Sequence, residues 1–456
     1  MGKTIKFGGT SLGDSDLDKN AVKYAISQHT NGETTVVVVS GQGKSKKREG
    51  KEKLTDYAYK ILSGDITSKR EFFGMIEDNV TNNGYNLNLI DDILTEAVRI
   101  ISKKEYNGEN AAKLIGLPER VKARIIKKLI EDSGQETILL DYNNNGMIGK
   151  NIGTNIDITI AHRITLTEIQ QIIGNGRFNN KILVVPGFIG TKEGTNEMVT
   201  LERGMSDGTA TYIGSALDSR VIEIWSDQNG IHSVDPRLVN DAKTIRRLTY
   251  REAEAFAGLG AGIISYVSIR PAKERRVPIK VLNTFNPQDQ GTLIDHDGGL
   301  DEEKIGVRAI AHVNGYVIAT VNNMPMNKPG IVARVMGMFA KYGISIDGMK
   351  DGDSCMTYAF RPNKNLPQLL EDLDNAEHPV DIRTKMTRIS LIGEQMLYGR
   401  DNGKRVDRKA ADSLDEKGIP IELRVSEGSS VIKTFYVPTA YRESAVLTLY
   451  KTLGFS

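Results

Sequence analysis

Val199-Thr200-Leu201-Glu202-Arg203-Gly204-Met205-Ser206-Asp207-Gly208-Thr209-Ala210 follows a glycine-rich turn, Gly187-Phe188-Ile189-Gly190, and reads as the opening of a helix. The first N–H groups of a helix have no intrahelical acceptors, and the helix dipole favours negative charge there. The stretch therefore presents Arg203 and Asp207 beside free amides, which makes it a place to hold an anion. Arginine offers a planar fork to a carboxylate or phosphate, Ser206 suits an N-cap, and Asp207 in the first turn can orient a cation or a lysine. An ordinary capped helix with one surface ion pair would read the same way. The choice rests on whether other parts of the chain supply the rest of a site.

Upstream, Lys3 to Phe7 reads as a strand, Gly8-Gly9-Thr10-Ser11 as a turn, and residues 14–29 as a helix from the spacing of Leu17, Val22, Ala25 and Ile26. Strand, glycine turn and helix make a phosphate nest, since amides at adjacent glycines approach an anion without a Cβ in the way; Lys6 lies just before them as a point charge. Four consecutive valines, Val36 to Val39, predict a strand buried on both faces and hence a parallel sheet. Ser40 and Gly41 follow at its C-terminal end, the edge at which open α/β sheets bind ligands. Six of the ten residues 44–53 are Lys or Arg, the pattern of a solvated loop or of a lid over phosphates, and Thr55 lies where a helix restarts. Residues 60–135 read as mainly helical, with one apolar face through Leu87, Ile90, Ile93, Leu94, Val98 and Ile101; Glu119 opens a later helix just after Pro118, where a carboxylate suits the dipole in any case. Further strands are expected at 137–141, 182–186, 220–225 and 278–282, the last closing the unit, and the third leads into the polar turn Ser226-Asp227-Gln228-Asn229-Gly230-Ile231-His232-Ser233-Val234-Asp235-Pro236-Arg237.

Composition limits the alternatives. Lys+Arg 60 against Asp+Glu 58 gives a net charge of +2, which supports neither a nucleic-acid nor a membrane-surface partner. The single cysteine, Cys355, cannot form an intrachain disulfide, and no run approaches the ~18 apolar residues of a membrane span. These features fit a cytoplasmic protein.

Strands alternating with helices over residues 1–300 predict a mainly parallel sheet with helices on both faces. A charged, glycine-rich segment at 295–304 reads as a linker. Beyond it, 316–321, 329–342, 343–349, 356–361 and 366–373 read β, α, β, β, α, and the order recurs through 387–392, 405–417, 418–425, 431–437 and 441–453. The copies align at an offset of 75, Gly343-Ile344-Ser345-Ile346 against Gly418-Ile419-Pro420-Ile421, so two small split βαβ units are expected.

Lys6-Phe7-Gly8-Gly9-Thr10-Ser11, Gly187-Phe188-Ile189-Gly190, Arg203-Gly204-Met205-Ser206-Asp207, and the run from Asp227 through Gly230 to Asp235-Pro236-Arg237 together resemble the aspartokinases. The likeness runs almost end to end, because the repeated unit looks like the pair of ACT domains those enzymes carry. It implies a three-layer α/β/α amino-acid-kinase domain over 1–300 and βαββαβ ACT domains over 308–383 and 384–456. It also implies transfer of the γ-phosphoryl group of ATP, with Mg2+ carried by the nucleotide rather than by a protein metal site, to the β-carboxylate of L-aspartate. By this resemblance Lys6 neutralises the transferring group and Asp207 orients Lys6. Arg203 clamps the substrate α-carboxylate, Glu119 accepts from its α-amino group, and Ser40, Thr55 and Ser206 help position it. Gly8, Gly9, Ser11, Ser226, Asp227, His232 and Arg237 border the nucleotide. Met326, Gly330, Ile331 and Asp347 outline an effector site for lysine or threonine, and the ACT domains imply a homodimer or homotetramer. The family's Thr-Leu-Gly-Arg-Gly-Gly-Ser-Asp here carries Glu202 and Met205 in place of two glycines, and a family lysine is replaced by Gly262, a loss the basic loop would offset. A kinase of another small carboxylate, or an amino-acid sensor built on the ACT pair, stays open at this point.

Overall fold

The computed structural model of the 456-residue chain describes residues 2–30, 32–43, 52–144, 147–151, 160–162, 178–202, 204–259, 264–298, 306–324, 328–394, 396, 400–401, 404–425 and 431–454. Two compact units divide it: Met1–Ile231 with Arg246–Tyr250 and Ile264–Gly298, and His232–Ile245 with Arg251–Ile263 and Gly299–Ser456.

The strands of the first unit are β1 Lys3–Phe7, β2 Thr35–Val39, β3 Thr137–Leu139, β4 Ile148–Asn151, β5 Ile160–His162, β6 Ile182–Pro186, β7 Ile189–Lys192, β8 Met198–Thr200, β9 Ile222–Ser226, β10 Arg247–Thr249, β11 Ile279–Asn283 and β12 Thr292–Asp295. Eight form one sheet in the order β10-β12-β11-β9-β1-β2-β6-β3, parallel except between β11 and β12; β5-β4-β7-β8 form a small second sheet. β11 is therefore not the last strand. β12 turns back along it and continues through Asp295, where a linker was expected.

Side-chain alternation along β1 decides which face each residue serves. Ile5 and Phe7 join Val37, Val39, Ile182 and Val184 in one apolar layer beneath Ala21, Val22 and Ala25 of the helix Ser15–Gln28 and Ala123, Ile126 and Ile130 of the helix Leu117–Asp132. Thr4 and Lys6 point the other way, toward the helix Met205–Ala216: Gly214 lets that helix approach closely, since a Cβ there would lie 2.5 Å from the Ile222 side chain and 3.1 Å from Thr4 Oγ1.

A fully buried ion pair pins the first layer. Lys122 Nζ lies 2.9 and 2.7 Å from the two carboxylate oxygens of Asp18 and 2.8 Å from Asn79 Oδ1, tying three helices together one turn beyond Glu119. The helix Ser15–Gln28 starts at Asp14, whose carboxylate accepts from the Asp16 and Leu17 amides. Asp14→Ala is expected to cost about 1 kcal/mol in urea denaturation, the usual loss for a deleted N-cap. The helical stretch 54–132 matches expectation except at Val98, which is 47% exposed and off the buried face carried by Ile93, Ala97, Ile100 and Ile101.

The second unit contains β13 Ala309–Val321, β14 Ile346–Asp351, β15 Met356–Phe360, β16 Val380–Ile392, the short hairpin β17 Arg400–Asp401 and β18 Lys404–Arg405, then β19 Leu423–Val425 and β20 Ile432–Pro438. Six of them form an antiparallel sheet, β14-β15-β13-β16-β20-β19. β13 and β16 run 13 residues each and are shared by the two repeats. Residues 316–321 and 380–383 pair beside β15 in the first, while 309–314 and 387–392 pair beside β20 in the second. Each long strand irregularly changes register midway, near Gly315 (φ 83°) and Lys385 (φ 58°). The expected break at residue 384 falls inside β16, and the second repeat takes its fourth strand from 309–314. Segment 232–245 also packs here: Val234 and Val239 share a core with Ile310, Ile389, Leu414 and Phe435, and the Tyr450 hydroxyl donates to the Asp241 carbonyl (3.3 Å).

Candidate active site

In the first unit the C-terminal ends of β1 and β2, the start of the helix Leu54–Leu62 and the starts of two longer helices converge on a cavity of about 570 Å3. Lys6, Gly9, Ser40, Thr55, Glu119, Ser206 and Asp207 line it, so seven expected site residues from five segments of chain meet in one place. A cavity of about 610 Å3 beside the helices Ser68–Thr81 and Asp91–Lys103 includes none of them.

Lys6 Nζ lies 2.6 Å from Asp207 Oδ1, both side chains being about nine-tenths buried. Asp207 occupies the first turn of the helix Met205–Ala216, and the glycine after β1 leaves space for the lysine: a Cβ on Gly8 would stand 3.4 Å from Lys6 Nζ and 3.1 Å from the Trp225 carbonyl. The Gly8 amide itself donates to that carbonyl (3.1 Å), extending the pairing of β1 with β9, so it is not one of the amides offered to an anion. Ser206 is not the N-cap. Gly204, at φ 89°, holds that position, which an L side chain rarely adopts, and Ser206 sits second in the helix with its Cβ against Gly187. A Cβ on Gly187 would come within 2.7 Å of Ser206 Cβ.

Glu119 faces the cavity from the start of its helix, 6% exposed. Its Oε1 accepts the Gly41 N–H (3.1 Å), while Oε2 is buried without a hydrogen-bond partner among the described residues. Burial pushes this carboxyl up to about 7, with the Gly41 bond opposing the shift. Gly41 has no room for a side chain, since its Cβ would lie 2.6 Å from Pro118 Cβ. The loop after β2 is also laced to the loop after β1: Gly43 N–H donates to the Gly9 carbonyl (2.8 Å), and the buried Gln42 amide donates to the Gly13 carbonyl (2.7 Å).

Sequence reasoning left several wall residues unassigned: Thr10, Gln42, Lys53, Asp56 and Phe188. Phe188 adopts φ 68°, unusual for a bulky side chain, with its N–H toward Thr209 Oγ1 (3.4 Å) and its carbonyl accepting from Leu201 (2.7 Å). Its place between two glycines was the one available signal. Met205 and Glu202, the two departures from the family pattern, do not line the cavity. Met205 is buried against the bare Cα of Gly208, where a Cβ would meet its Cε at 2.2 Å, and Glu202 is exposed.

Other expected residues fall elsewhere. Ser11 is fully buried, its hydroxyl donating to the Trp225 carbonyl (3.2 Å) and accepting from Thr284 (2.6 Å), so it serves the fold rather than contacting a nucleotide. Ser226 ends β9 and Asp227 follows it, both outside the cavity lining, with Ser226 Oγ accepting the Gln228 N–H (3.2 Å). His232, which bridges to Thr244, and Arg237, 87% exposed and paired to Asp235, belong to the second unit. There Gly330, at φ 86°, precedes the helix that begins at Ile331, and the Asp347 carboxylate accepts the Tyr316 hydroxyl (2.6 Å). Arg203, Gly262, Met326 and residues 44–51 of the basic loop lie outside the described residues.

The sequence pattern of the amino acid kinase family matches residues 3–283, more than half of the chain. The chain belongs to the amino acid kinase family. This amino acid kinase is 25% identical to the aspartokinase of Geobacillus stearothermophilus over 457 residues, covering 98% of this chain and 96% of that one. Among solved structures, E. coli aspartokinase III in complex with aspartate and ADP, in its R-state, matches with a TM-score of 0.79 at 21% identity, covering 100% of both chains. The same enzyme in complex with lysine and aspartate, in its T-state, matches with a TM-score of 0.74 at 20% identity, over 99% of each chain. The kinase domain and the antiparallel repeat pair of this amino acid kinase are therefore the fold expected from the sequence. No described helix is long and apolar enough to cross a membrane.

Proposed function

We propose that this amino acid kinase is an aspartate kinase, transferring the γ-phosphoryl group of MgATP to the β-carboxylate of L-aspartate. One observation carries the reading: a single cavity is lined by a buried lysine, held by Asp207, and by a buried carboxylate with one oxygen that has no hydrogen-bond partner among the described residues. That arrangement suits a reactant with an ammonium at one end and an anionic group to be phosphorylated at the other. The acceptor carboxylate is already ionised at neutral pH, so no general base is needed, and the obstacle is bringing one anion against another. Lys6 supplies the charge that offsets it, and Asp207 fixes where that charge sits. Glu119 receives the α-ammonium, the family resemblance gives the α-carboxylate to Arg203, and Ser40, Thr55 and Ser206 complete the walls. Gly9 borders the phosphates, while Ser226 and Asp227 serve the remainder of the nucleotide. Mg2+ arrives with the triphosphate and adds charge neutralisation of its own.

The aspartate and ADP bound to the E. coli relative support both substrates. The lysine in complex with its other form supports an amino-acid effector, and the family resemblance puts that effector at the repeat pair, where Gly330, Ile331 and Asp347 stand. Asp347 already engages Tyr316, so effector binding here has to displace or share that bond. On this reading the enzyme is a cytoplasmic homo-oligomer that commits aspartate to lysine, threonine and methionine synthesis.

ADP release by the purified chain with MgATP is expected to rise at least tenfold on adding L-aspartate, with lysine and threonine tested in parallel. Stimulation by another small carboxylate but not by L-aspartate would overturn the assignment.

A further inference from the structure

β9 pairs with β1 on one side and β11 on the other, so the C-terminal ends of three parallel strands lie in a row. Each runs into a turn: Gly8 to Ser11 after β1, Ser226 to Gly230 from the last residue of β9, and residues 283–286 from the last residue of β11. The third turn fastens both of the others. The Thr284 hydroxyl donates to Ser11 Oγ (2.6 Å), Ser11 Oγ donates to the Trp225 carbonyl (3.2 Å), and that carbonyl also accepts the Gly8 N–H (3.1 Å). The Thr284 N–H donates to the Ser226 carbonyl (2.9 Å), and the side-chain amides of Asn283 and Asn286 both donate to Asn229 Oδ1 (2.7 and 3.3 Å).

A run of hydroxyls that ends on a carbonyl is polarised along its length, and each member fixes the direction of the next. Here the run crosses from the β11 turn to the β1 turn and ends on the last residue before Ser226. Losing the first hydroxyl leaves Ser11, which is fully buried, still bonded to Trp225 but no longer coupled to the third turn. The β11 turn is then free to shift against the glycine turn beside Lys6 by tenths of an ångström, carrying with it the Ser226 to Gly230 turn that it holds through Thr284 N–H, Asn283 and Asn286, and a site that works by placement of charge is sensitive on that scale.

We propose, building on the aspartate kinase reading, that Thr284 is a positioning residue for the nucleotide. It fastens the β11 turn to the phosphate-side turn through Ser11 and to the turn at Ser226 and Asp227 through its N–H, so that all three keep one arrangement. The amino-acid end of the cavity, formed by Ser40, Thr55 and Glu119, lies on other segments, which bond to the β1 loop at Gly9 and Gly13 and not to Thr284.

Affinity for MgADP by titration calorimetry, together with KM for both substrates, tests the assignment on the full chain. Thr284→Val keeps the volume and removes the hydroxyl; it is expected to weaken MgADP binding and raise the ATP KM at least tenfold, with the aspartate KM within twofold of wild type. Thr284→Ser restores the donor and should bring both nucleotide constants back to within about twofold. Ser11→Ala cuts the same chain at its middle and should reproduce the selective loss, which decides the matter if Thr284→Val does not fold. A folded Thr284→Val protein with wild-type nucleotide constants, or with equal losses for both substrates, would overturn the positioning role. Wild-type protein that binds no MgADP would overturn the kinase reading and this inference with it.

Discussion

Replacing Lys6 by alanine is expected to lower kcat at least a hundredfold while the protein stays folded, measured as aspartate-dependent ADP release. The lysine is nine-tenths buried against Asp207 and comes from the C-terminal end of a strand interior to the sheet, so its charge is held in place before reactants arrive. A preorganised donor of this kind typically contributes about 3–4 kcal/mol at the transition state. Its removal also reverses the local field. Asp207 would be left as an uncompensated buried carboxylate facing an incoming triphosphate, adding repulsion to the lost attraction. Lys6→Arg should recover little, because a planar fork cannot occupy the point position above Gly8. Turnover within threefold of wild type in Lys6→Ala would remove this residue from the mechanism.

Glu119→Gln is expected to raise the aspartate KM by about a hundredfold and, in the empty enzyme, to increase stability. The first effect follows from losing a charge-assisted bond to the substrate ammonium, worth about 1.5–3 kcal/mol. The second follows from linkage. Burial raises the Glu119 carboxyl from 4.5 to about 7 in the folded chain. Below pH 4.5 it is protonated in both states and adds no pH-dependent cost. As pH climbs from 4.5 through 7 the unfolded chain ionises first, so folded wild type loses stability relative to it. The loss levels off above pH 7 at about 3 kcal/mol, taking about 1.4 kcal/mol per pKa unit. Glutamine is neutral throughout, so urea denaturation at pH 8 should favour the variant by up to that amount and the gap should close toward pH 4.5. The wild-type aspartate KM should meanwhile fall between pH 6 and 8, as the empty-site carboxylate becomes ionised. A variant that binds aspartate normally, or is less stable at pH 8, would contradict this role.

The first β-turn-helix and the Asp207 helix start were legible because each couples a periodic apolar pattern to a distinctive turn, and the two meet through Lys6. Glu119 was less so. A carboxylate in the first turn of a helix is favourable with or without a ligand, and only the fold shows that its second oxygen is buried without a hydrogen-bond partner among the described residues. Ser11 reads as a phosphate contact because it is a hydroxyl soon after two glycines, whereas the hydroxyl's partners in the fold, Trp225 and Thr284, lie more than 200 residues away in sequence. The second unit hid its longest strands for a different reason. Residues 381–385 form an exposed half of β16, in which even Ile382 is 36% exposed, so of this strand only 387–392, within the buried half, was expected. A three-residue strand such as β10 is too short to carry any period at all.

The two long strands of the repeat pair make the second unit a mutual dependency. Neither repeat has a closed four-stranded sheet until the other has contributed half of a strand, so the two cannot mature as separate modules, and their folding involves contacts between residues more than 100 apart in sequence. Nor is there a flexible tether between them to absorb a local change. A shift in the twist of one sheet passes directly through the covalent backbone of β13 and β16 into the other, so a ligand bound at one repeat would be registered by both at once.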